Sequence, residues 1–257
     1  MARLTVVVPC YNEAARLDAA PLLAFVDSHA DATLLLVDDG STDATAALLD
    51  RLAAERPGRV RALSLTPNGG KAEAVRRGLR DALAAGAEIV GYLDADLSTP
   101  PAEIDDLLAA LARPGVQVAI GARVGMLGYD IDRSAVRHYL GRVFATAASI
   151  ILRARVYDTQ CGAKLFRAGP ALSEALSTAF LSRWAFDVEL LGRLLIGTPG
   201  VPALPLAAIV EVPLPVWHDV KGSKLGLTGM AQTLRDLFLV ANDLAARRRA
   251  VHSPSHQ

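Results

Sequence analysis

The chain has 257 residues, of which 52% are hydrophobic and 21% are charged, so it can bury a large core and is not globally disordered. Its 27 basic and 27 acidic residues cancel, so no overall field favours nucleic acid and we expect no nucleic-acid partner. Two cysteines, Cys10 and Cys161, are too few for a disulfide framework or a cysteine metal cluster, which suits a reducing cytoplasm.

No stretch of the sequence is typical of a signal peptide or of a membrane span. The N-terminal apolar run is short and leads into charged residues, and the apolar segment Val143–Leu152 is too short to cross a bilayer. The longer segment 197–217 contains five prolines and Glu211. We therefore expect a cytoplasmic protein without a transmembrane helix, and peripheral contact with the cytoplasmic face of a membrane stays open.

Strand-like and helix-like segments alternate through the first half of the chain. Continuous apolar runs predict strands at Leu4–Pro9, Thr33–Asp39, Val60–Leu65, Glu88–Asp96 and Val116–Arg123. The alanine- and leucine-rich segments between them predict helices at Asn12–Ser28, Asp43–Glu55, Lys71–Ala85 and Pro101–Ala112. This alternation predicts an α/β fold with a mostly parallel, Rossmann-like sheet flanked by helices, in which the strands end at one edge.

The second half of the chain is less regular. Residues 124–132 are typical of a flexible loop, Arg133–Arg153 predicts a long amphipathic helix, and residues 157–166 are strand-like. Further helices are predicted at 183–196 and 230–249, on either side of the proline-rich stretch. The apolar stripe of the helix predicted at Arg133–Arg153, with its flanking arginines, suits either a bilayer interface or packing on the sheet.

Polar clusters follow four of the predicted strands. They are Pro9, Tyr11, Asn12 and Glu13; Asp38 and Asp39; Asn68, Gly69, Gly70 and Lys71; and Asp94, Ala95 and Asp96. Each cluster has a simpler explanation, since Asn12 suits a helix cap, the glycine pair a turn, and the Asp38–Asp39 pair a solvated loop. Because all four converge on one edge of the sheet, we interpret them together as a ligand site.

Asp94 and Asp96 follow a buried strand and are separated by one residue. In an extended chain, residues i and i+2 point the same way, so these carboxylates would repel each other unless a cation lay between them. Mg²⁺ or Mn²⁺ prefers oxygen ligands and commonly takes one or two carboxylates plus substrate phosphates. The sequence therefore predicts a metal site with Asp94 and Asp96 as ligands, although such a pair also occurs by chance in loops.

The order of these motifs resembles a known enzyme family. The segments VVVPCYNEAARL, LLLVDDGSTDAT, NGGKAEAVRRGL and GYLDADLSTPPAEI resemble the inverting glycosyltransferases of family 2, which have the GT-A fold. Further along, GAR, VRHYLGRVF, DTQCGAKLF, RWAFDVELL and KGSKL resemble the polyprenyl-phosphate (dolichyl-phosphate) glycosyltransferases, particularly the glucosyltransferase branch. The resemblance implies one domain over residues 1–247, with a nucleotide-sugar-binding half (1–123), an acceptor-side half (124–247) and a disordered tail (248–257).

The resemblance also implies roles for the residues that match. On the donor side, Asp94 and Ala95 would face the nucleotide and Asp96 would be the main metal ligand, with Ser98 where the mannose branch often has a third ligand. The base and ribose would be framed by Pro9, Tyr11, Asn12, Glu13 and Asp38, and neighbouring donor groups would be held by Asp39 and Lys71. The sugar and acceptor side would be lined by Gln160, Lys164, Arg183, Trp184, Asp187 and Glu189.

Arg123 and Arg137 match the family's arginines that grip a lipid phosphate. A solvated helix face is the alternative for Arg137 and Arg142, and a surface helix acid is the alternative for Glu189. Lys221 and Lys224 would close over phosphates or form an ordinary basic loop.

The predicted reaction is a metal-dependent, inverting transfer of a hexose, with glucose favoured, from a nucleoside diphosphate sugar such as UDP-glucose to a polyprenyl phosphate. A phosphate acceptor is largely dianionic near neutral pH and needs no general base. A glycan or small-molecule hydroxyl would need a carboxylate base, for which Asp187 is the candidate. A non-catalytic nucleotide-sugar-binding module is the remaining alternative, and the intact Asp94, Asp96 and Lys71 argue against it.

Overall fold

The computed structural model describes residues 2–132, 135–218 and 227–252. Two short 3-10 turns lie at Pro101–Glu103 and at Leu206–Ala208. In chain order, the strands and helices are β1 (Leu4–Cys10), α1 (Ala19–Ser28), β2 (Ala32–Asp38), α2 (Thr45–Glu55), β3 (Val60–Ser64), α3 (Lys71–Ala84), β4 (Ile89–Leu93), α4 (Ile104–Leu111), β5 (Val118–Ala122), β6 (Asp130–Asp132), α5 (Ala135–Leu152), β7 (Ala163–Arg167), α6 (Pro170–Ala175), α7 (Phe186–Ile196), β8 (Ile209–Pro213), β9 (Val216–His218) and α8 (Leu227–His252).

Most of the described strands belong to one mostly parallel sheet, as predicted. Its seven strands lie in the order β3-β2-β1-β4-β7-β5-β8 among the described residues. β1 runs parallel to β2 and β4, β2 to β3, and β5 to β8, whereas β7 is antiparallel to both of its neighbours. The C-terminal ends of β1 to β4 therefore lie along one edge. A separate pair, β6 and β9, runs parallel outside this sheet.

Helices cover both faces of the sheet, and the side chains of its central strands are buried on each face. On β1, Val7 joins a cluster with residues of α3, α7 and α8, while Val6 and Val8 join a second cluster with residues of α1, α2 and α4. Both faces are apolar, which is why these strands appear in the sequence as unbroken hydrophobic runs.

Three segments differ from the prediction. The helix expected from Asn12 begins at Ala19, where the Asp18 carboxylate accepts a hydrogen bond from the Ala20 amide at 3.1 Å and caps the first turn. The proline-rich stretch contains β8, an edge strand that tolerates a proline at its end. Helix α8 runs to His252, so residues 248–252 of the expected disordered tail are helical, and residues 253–257 lie outside the described part.

The predicted amphipathic helix is α5, and it divides its apolar side chains between the core and the surface. Ala145, Ala148 and Leu152 are buried, whereas Val143 and Ile150 are exposed over 66% and 73% of their surface. Packing against the rest of the fold therefore buries one face of α5, whereas a second apolar stripe stays exposed. Among the described helices, none combines the length and the apolarity needed to cross a bilayer.

An ion pair fixes the end of β5 to the loop before β7. The Arg123 guanidinium donates to the Asp158 carboxylate at 2.6 and 2.8 Å, and the Arg123 amide donates to the same carboxylate at 3.2 Å. The guanidinium also lies 5.2 Å from the centre of the Trp217 ring in β9. Burial raises the pKa of Asp158, but the charge and hydrogen bonds of Arg123 outweigh burial and lower that pKa from 3.8 to about 2.

The stabilisation from Asp158 is expected to disappear in acid. Because the pKa of its carboxyl is lower in the folded chain than its ordinary 3.8, the stabilisation is complete above that value and is lost as the pH falls towards 2. In urea titrations between about pH 5 and pH 2, the free energy of unfolding of the wild type should fall by about 2 kcal/mol more than that of Asp158→Asn. The same pH dependence in both proteins would contradict an ion pair at this site.

Candidate active site

The loops after β1 and β2 are bound to each other at the sheet edge. Asn12 has a left-handed backbone with φ 54°, a conformation that asparagine tolerates better than most residues. Its amide donates to Ser41 Oγ at 3.0 Å, and its side-chain oxygen accepts from the Thr42 amide at 2.9 Å. The Asp38 carboxylate accepts from the Ser41 amide at 3.1 Å. The two loops therefore form one wall, with Asn12 and Asp38 inside its hydrogen-bond network.

The other predicted residues of the first cluster differ in their accessibility. Pro9 is a partly buried residue of β1, and the Tyr11 side chain is exposed over 40% of its surface. Glu13 is buried, its amide donates to Thr45 Oγ1 at 2.8 Å, and its carboxylate pairs with Arg16. Tyr11 is therefore open to a ligand, whereas Glu13 supports the loop.

Asp39 organises the glycine turn before α3. Its buried carboxylate accepts from the Gly69 amide at 2.9 Å, from the Gly70 amide at 2.7 Å and from the Asn68 side chain at 2.9 Å. Burial raises the pKa of Asp39, and these hydrogen bonds oppose the rise without cancelling it. The contacts of Asp39 fix the loop that presents Lys71, and the contact of Asp39 with the donor that the resemblance implies stays a prediction.

Asp94 and Asp96 lie in a turn, and the extended geometry predicted for them is wrong. β4 ends at Leu93, and the turn is closed by the Leu97 amide, which donates to the Asp94 carbonyl at 3.1 Å. Leu97 has φ 52°. The turn places the two carboxylates in different environments, and Ala95 between them is buried in an apolar cluster.

The two aspartates have different partners. Asp94 Oδ1 lies 2.6 Å from Lys71 Nζ, and its side chain is 27% exposed. Asp96 is exposed, and its carboxylate accepts from the Ser98 amide at 3.0 Å. Burial lowers the pKa of Lys71, but Asp94, Asp187 and Asp96 raise it, and the net shift is upward. Lys71 is thus a stable cation beside Asp94, and Asp96 is open to solvent.

Asp94 rests on the turn that precedes β7. Its amide donates to the Gly162 carbonyl at 3.0 Å, and its carboxylate lies so close to the Gly162 α-carbon that any side chain there would collide with it. Residue 162 must therefore lack a side chain for Asp94 to keep its position.

Three residues of the second half come to the same edge. Arg183 lies against the glycine turn, since a Cβ on Gly70 would be 3.0 Å from its Cδ, and its positive charge opposes the rise in the pKa of Asp39. Trp184 is exposed, and its carbonyl accepts from the Gln160 side chain at 3.1 Å. Gln160, Arg183 and Trp184 thus lie together beside the donor edge, and their predicted contact with the sugar and acceptor stays a prediction.

Asp187, the candidate base, lies below the surface in the first turn of α7. Its side chain is 5% exposed, and its Oδ1 accepts from Lys164 Nζ at 2.7 Å and from the Tyr92 hydroxyl. Glu189 is fully buried and pairs with Arg193 at 2.5 Å, which excludes the surface-acid alternative. Both acids are held by cations of the protein.

The predicted phosphate-binding arginines, and Arg142 near them, have different surroundings. Arg123 is engaged by Asp158, as described above. Arg142 donates to the Tyr157 carbonyl at 2.9 Å and its guanidinium lies 4.1 Å from the centre of that ring, so the solvated-face alternative is wrong for Arg142. Arg137 belongs to α5, but its side chain lies outside the described residues, as do Lys221 and Lys224.

Sequence reasoning missed the contributions of Tyr92 and Asp158. Tyr92 fits the pattern of an ordinary strand residue, although a buried tyrosine hydroxyl needs a partner and so signals a polar group nearby. Asp158 has its partner Arg123 35 residues away in the chain. No local pattern indicates that pairing.

Asp94 and Asp96 could hold a divalent metal with the help of a ligand. In the described part of the chain, no group of three or more acidic, histidine or cysteine side chains is arranged around a common metal position. Two carboxylates at one turn, one of them open to solvent, fit an ion that completes its coordination with water and substrate phosphates. The donor set suits Mg²⁺ or Mn²⁺.

Comparison with known proteins identifies the family. The model of glycosyl transferase family 2 matches residues 5–171. The chain is 32% identical to the dolichyl-phosphate beta-glucosyltransferase of Drosophila melanogaster, over 92% of this chain and 74% of that protein. It is 31% identical to the polyprenol monophosphomannose synthase of Mycolicibacterium smegmatis, over 74% of this chain and 71% of that protein.

A solved structure shares the fold. The crystal structure of glucosyl-3-phosphoglycerate synthase from Mycobacterium tuberculosis, in complex with Mn²⁺, UDP and glucosyl-3-phosphoglycerate, matches with a TM-score of 0.68 at 21% identity, over 95% of this chain and 80% of that one. This likeness confirms the predicted GT-A architecture of the mostly parallel sheet. The chain therefore belongs to glycosyltransferase family 2 and is a glycosyltransferase.

Proposed function

We propose that this glycosyltransferase transfers a hexose, in the first place glucose, from a nucleoside diphosphate sugar to a polyprenyl phosphate, with inversion at the anomeric carbon. The observation that carries the proposal is the position of the Lys71–Asp94 pair and the open Asp96 at the edge where β1 to β4 end. The relatives named above, a dolichyl-phosphate glucosyltransferase and a polyprenol monophosphomannose synthase, support the polyprenyl phosphate acceptor.

The donor would lie across the C-terminal ends of β1 to β4. Its base and ribose would contact the wall formed by the first two loops, where Tyr11 is exposed. Lys71 and Arg183 would oppose the charge of its diphosphate, and UDP-glucose is the donor we favour. Asp96, with Asp94, would hold Mg²⁺ or Mn²⁺, which when bound neutralises charge on the leaving diphosphate.

The acceptor would supply its own nucleophile. A phosphate monoester is largely dianionic near neutral pH, so its oxygen can attack the anomeric carbon while the bond from that carbon to the nucleoside diphosphate breaks. No general base is required, which agrees with the burial of Asp187 and its engagement by Lys164 and Tyr92. An exposed arginine such as Arg183 can orient the phosphate through paired hydrogen bonds. The predicted roles of Arg137 and Lys224 at the acceptor phosphate remain part of this proposal.

Contact with a membrane would bring the lipid acceptor within reach, and the outer faces of α5 and α8 are the surface we propose for it. Tyr139, Val143 and Ile150 form an exposed stripe on α5, and Phe238 is exposed on α8, which packs against α5. Exposed Arg153 lies at the C-terminal end of α5, a position that suits anionic lipid head groups.

The acceptor can be identified by partition of the product. We expect radiolabelled UDP-glucose, with short-chain polyprenyl phosphate and Mn²⁺ or Mg²⁺, to deliver metal-dependent label into an organic phase. GDP-mannose and UDP-GlcNAc, tested in parallel, should deliver less. Release of UDP with all label left in the aqueous phase would contradict the polyprenyl phosphate acceptor and favour a hydroxyl acceptor.

Asp96→Asn is expected to reduce transfer about 100-fold or more, because the neutral amide replaces a metal ligand with little change of shape. Initial rates of label transfer and urea unfolding of the same preparations test this. Asp50→Asn, a substitution at an exposed site of α2, is the matched control and should leave both quantities unchanged. Wild-type transfer by Asp96→Asn would refute the assignment of Asp96 to the metal.

Removal of the α5 stripe is expected to weaken membrane binding. The double variant Val143→Ser/Ile150→Ser should bind vesicles that contain anionic lipid about tenfold more weakly or worse, because it loses apolar groups that would enter the interface. Co-sedimentation with vesicles measures the effect. Leu206→Ser is the control, since Leu206 is comparably exposed but lies outside α5 and α8. Equal binding by all three proteins would exclude this surface.

A further inference from the structure

Lys164 and Asp187 form a buried ion pair that the proposed reaction does not use. Lys164 is 1% exposed and Asp187 5% exposed, and Nζ of the lysine donates to Oδ1 of the aspartate at 2.7 Å. Removal of two charges from water carries a large free-energy penalty, and their attraction often does no more than offset it. Stability alone is therefore a weak explanation for a buried pair at this place.

One set of contacts leads from Lys164 to Asp94. Nζ of Lys164 also donates to the Cys161 carbonyl at 2.7 Å, which fixes the turn before β7. The next residue, Gly162, accepts a hydrogen bond from the Asp94 amide at 3.0 Å and lies directly against the Asp94 carboxylate. The lysine thus supports the backbone on which Asp94 rests.

A second set of contacts leads from Lys164 through Asp187 to β4. Tyr92 pairs with Lys164 across β4 and β7, lies two residues before Asp94, and donates its hydroxyl to Asp187. Asp187 therefore joins Lys164 of β7 to Tyr92 of β4, the strand that leads to Asp94.

We propose that Lys164 is a positioning residue of the donor site: its ammonium group fixes the turn beneath Asp94 and holds Asp187, which in turn holds Tyr92 of the strand that leads to Asp94. This inference rests on the proposed function, which gives the Lys71–Asp94 pair the task of holding the donor diphosphate and its metal. Lys164 does not touch the reacting atoms. Its loss should weaken binding of the nucleotide and its metal and leave recognition of the acceptor unchanged.

A single and a double variant separate positioning from stability. Lys164→Met leaves Asp187 buried without its cation and is expected to unfold at lower urea concentration. The double variant Lys164→Met/Asp187→Asn removes both charges, keeps the volume similar and keeps an acceptor for the Tyr92 hydroxyl, so it should regain most of the stability. If the pair were only structural, the double variant would regain UDP binding as well.

Calorimetric titration with UDP and Mn²⁺ measures whether the double variant has lost nucleotide affinity, and it does not rely on turnover. We expect the folded double variant to bind UDP about tenfold more weakly than the wild type, in the range found when groups that support metal ligands are removed. KM for the sugar nucleotide should rise in proportion, and KM for polyprenyl phosphate should not change. An ion pair near the opposite end of α3 from Lys71 serves as control: Arg61→Met/Asp81→Asn removes the same kinds of charge and should leave UDP affinity at the wild-type value.

Failure of this inference differs from failure of the proposed function. Wild-type UDP affinity in Lys164→Met/Asp187→Asn would overturn the role of Lys164 and leave the proposed function intact. An absence of UDP binding by the wild type itself would overturn the proposed function instead. If Lys164→Met cannot be obtained in folded form, the double variant alone gives the answer.

Discussion

The ion pair between Lys71 and Asp94 joins the two elements on which the site is built, the N-terminus of α3 and the end of β4. Its 2.6 Å contact requires the glycine turn before Lys71 to be held by the Asp39 carboxylate. It also requires residue 162 to lack a side chain, so that Asp94 can lie against that backbone. Parallel pairing of β1 with β2 and β4 brings these parts to one edge.

Opposite charges alternate beneath this edge. The buried Lys164 pairs with Asp187, and the partly exposed Lys71 pairs with Asp94, so these carboxylates and ammonium groups balance each other's charge. Asp96 is outside this balance because it is exposed. A divalent cation bound to a diphosphate is nearly neutral as a unit, since the charges of metal and phosphates oppose each other. Its entry would therefore disturb the buried charges less than either ion alone.

The sequence was informative where structure depends on local pattern, and uninformative where it depends on contacts between distant residues. The apolar runs predicted β1 to β5 to within a few residues, and the parallel order brought their polar ends together as expected. The turn at Asp94 was missed because leucine rarely adopts the positive φ seen at Leu97. The burial of Asp187 was missed because Tyr92, which donates to it, is 95 residues away.

The loop before α7 connects the donor edge with the helix proposed to face the membrane. Ser182 Oγ accepts from the Ala185 amide at 2.7 Å and donates to Asp236 of α8 at 2.7 Å, so α8 fixes one side of this loop. On its other side, Arg183 lies against Gly70 in the turn before Lys71. In the proposed reaction the donor would occupy the strand ends and the lipid phosphate would approach from α5 and α8. The exposed cation of Arg183 would then lie between the two phosphate groups, where one side chain can oppose the charge of both.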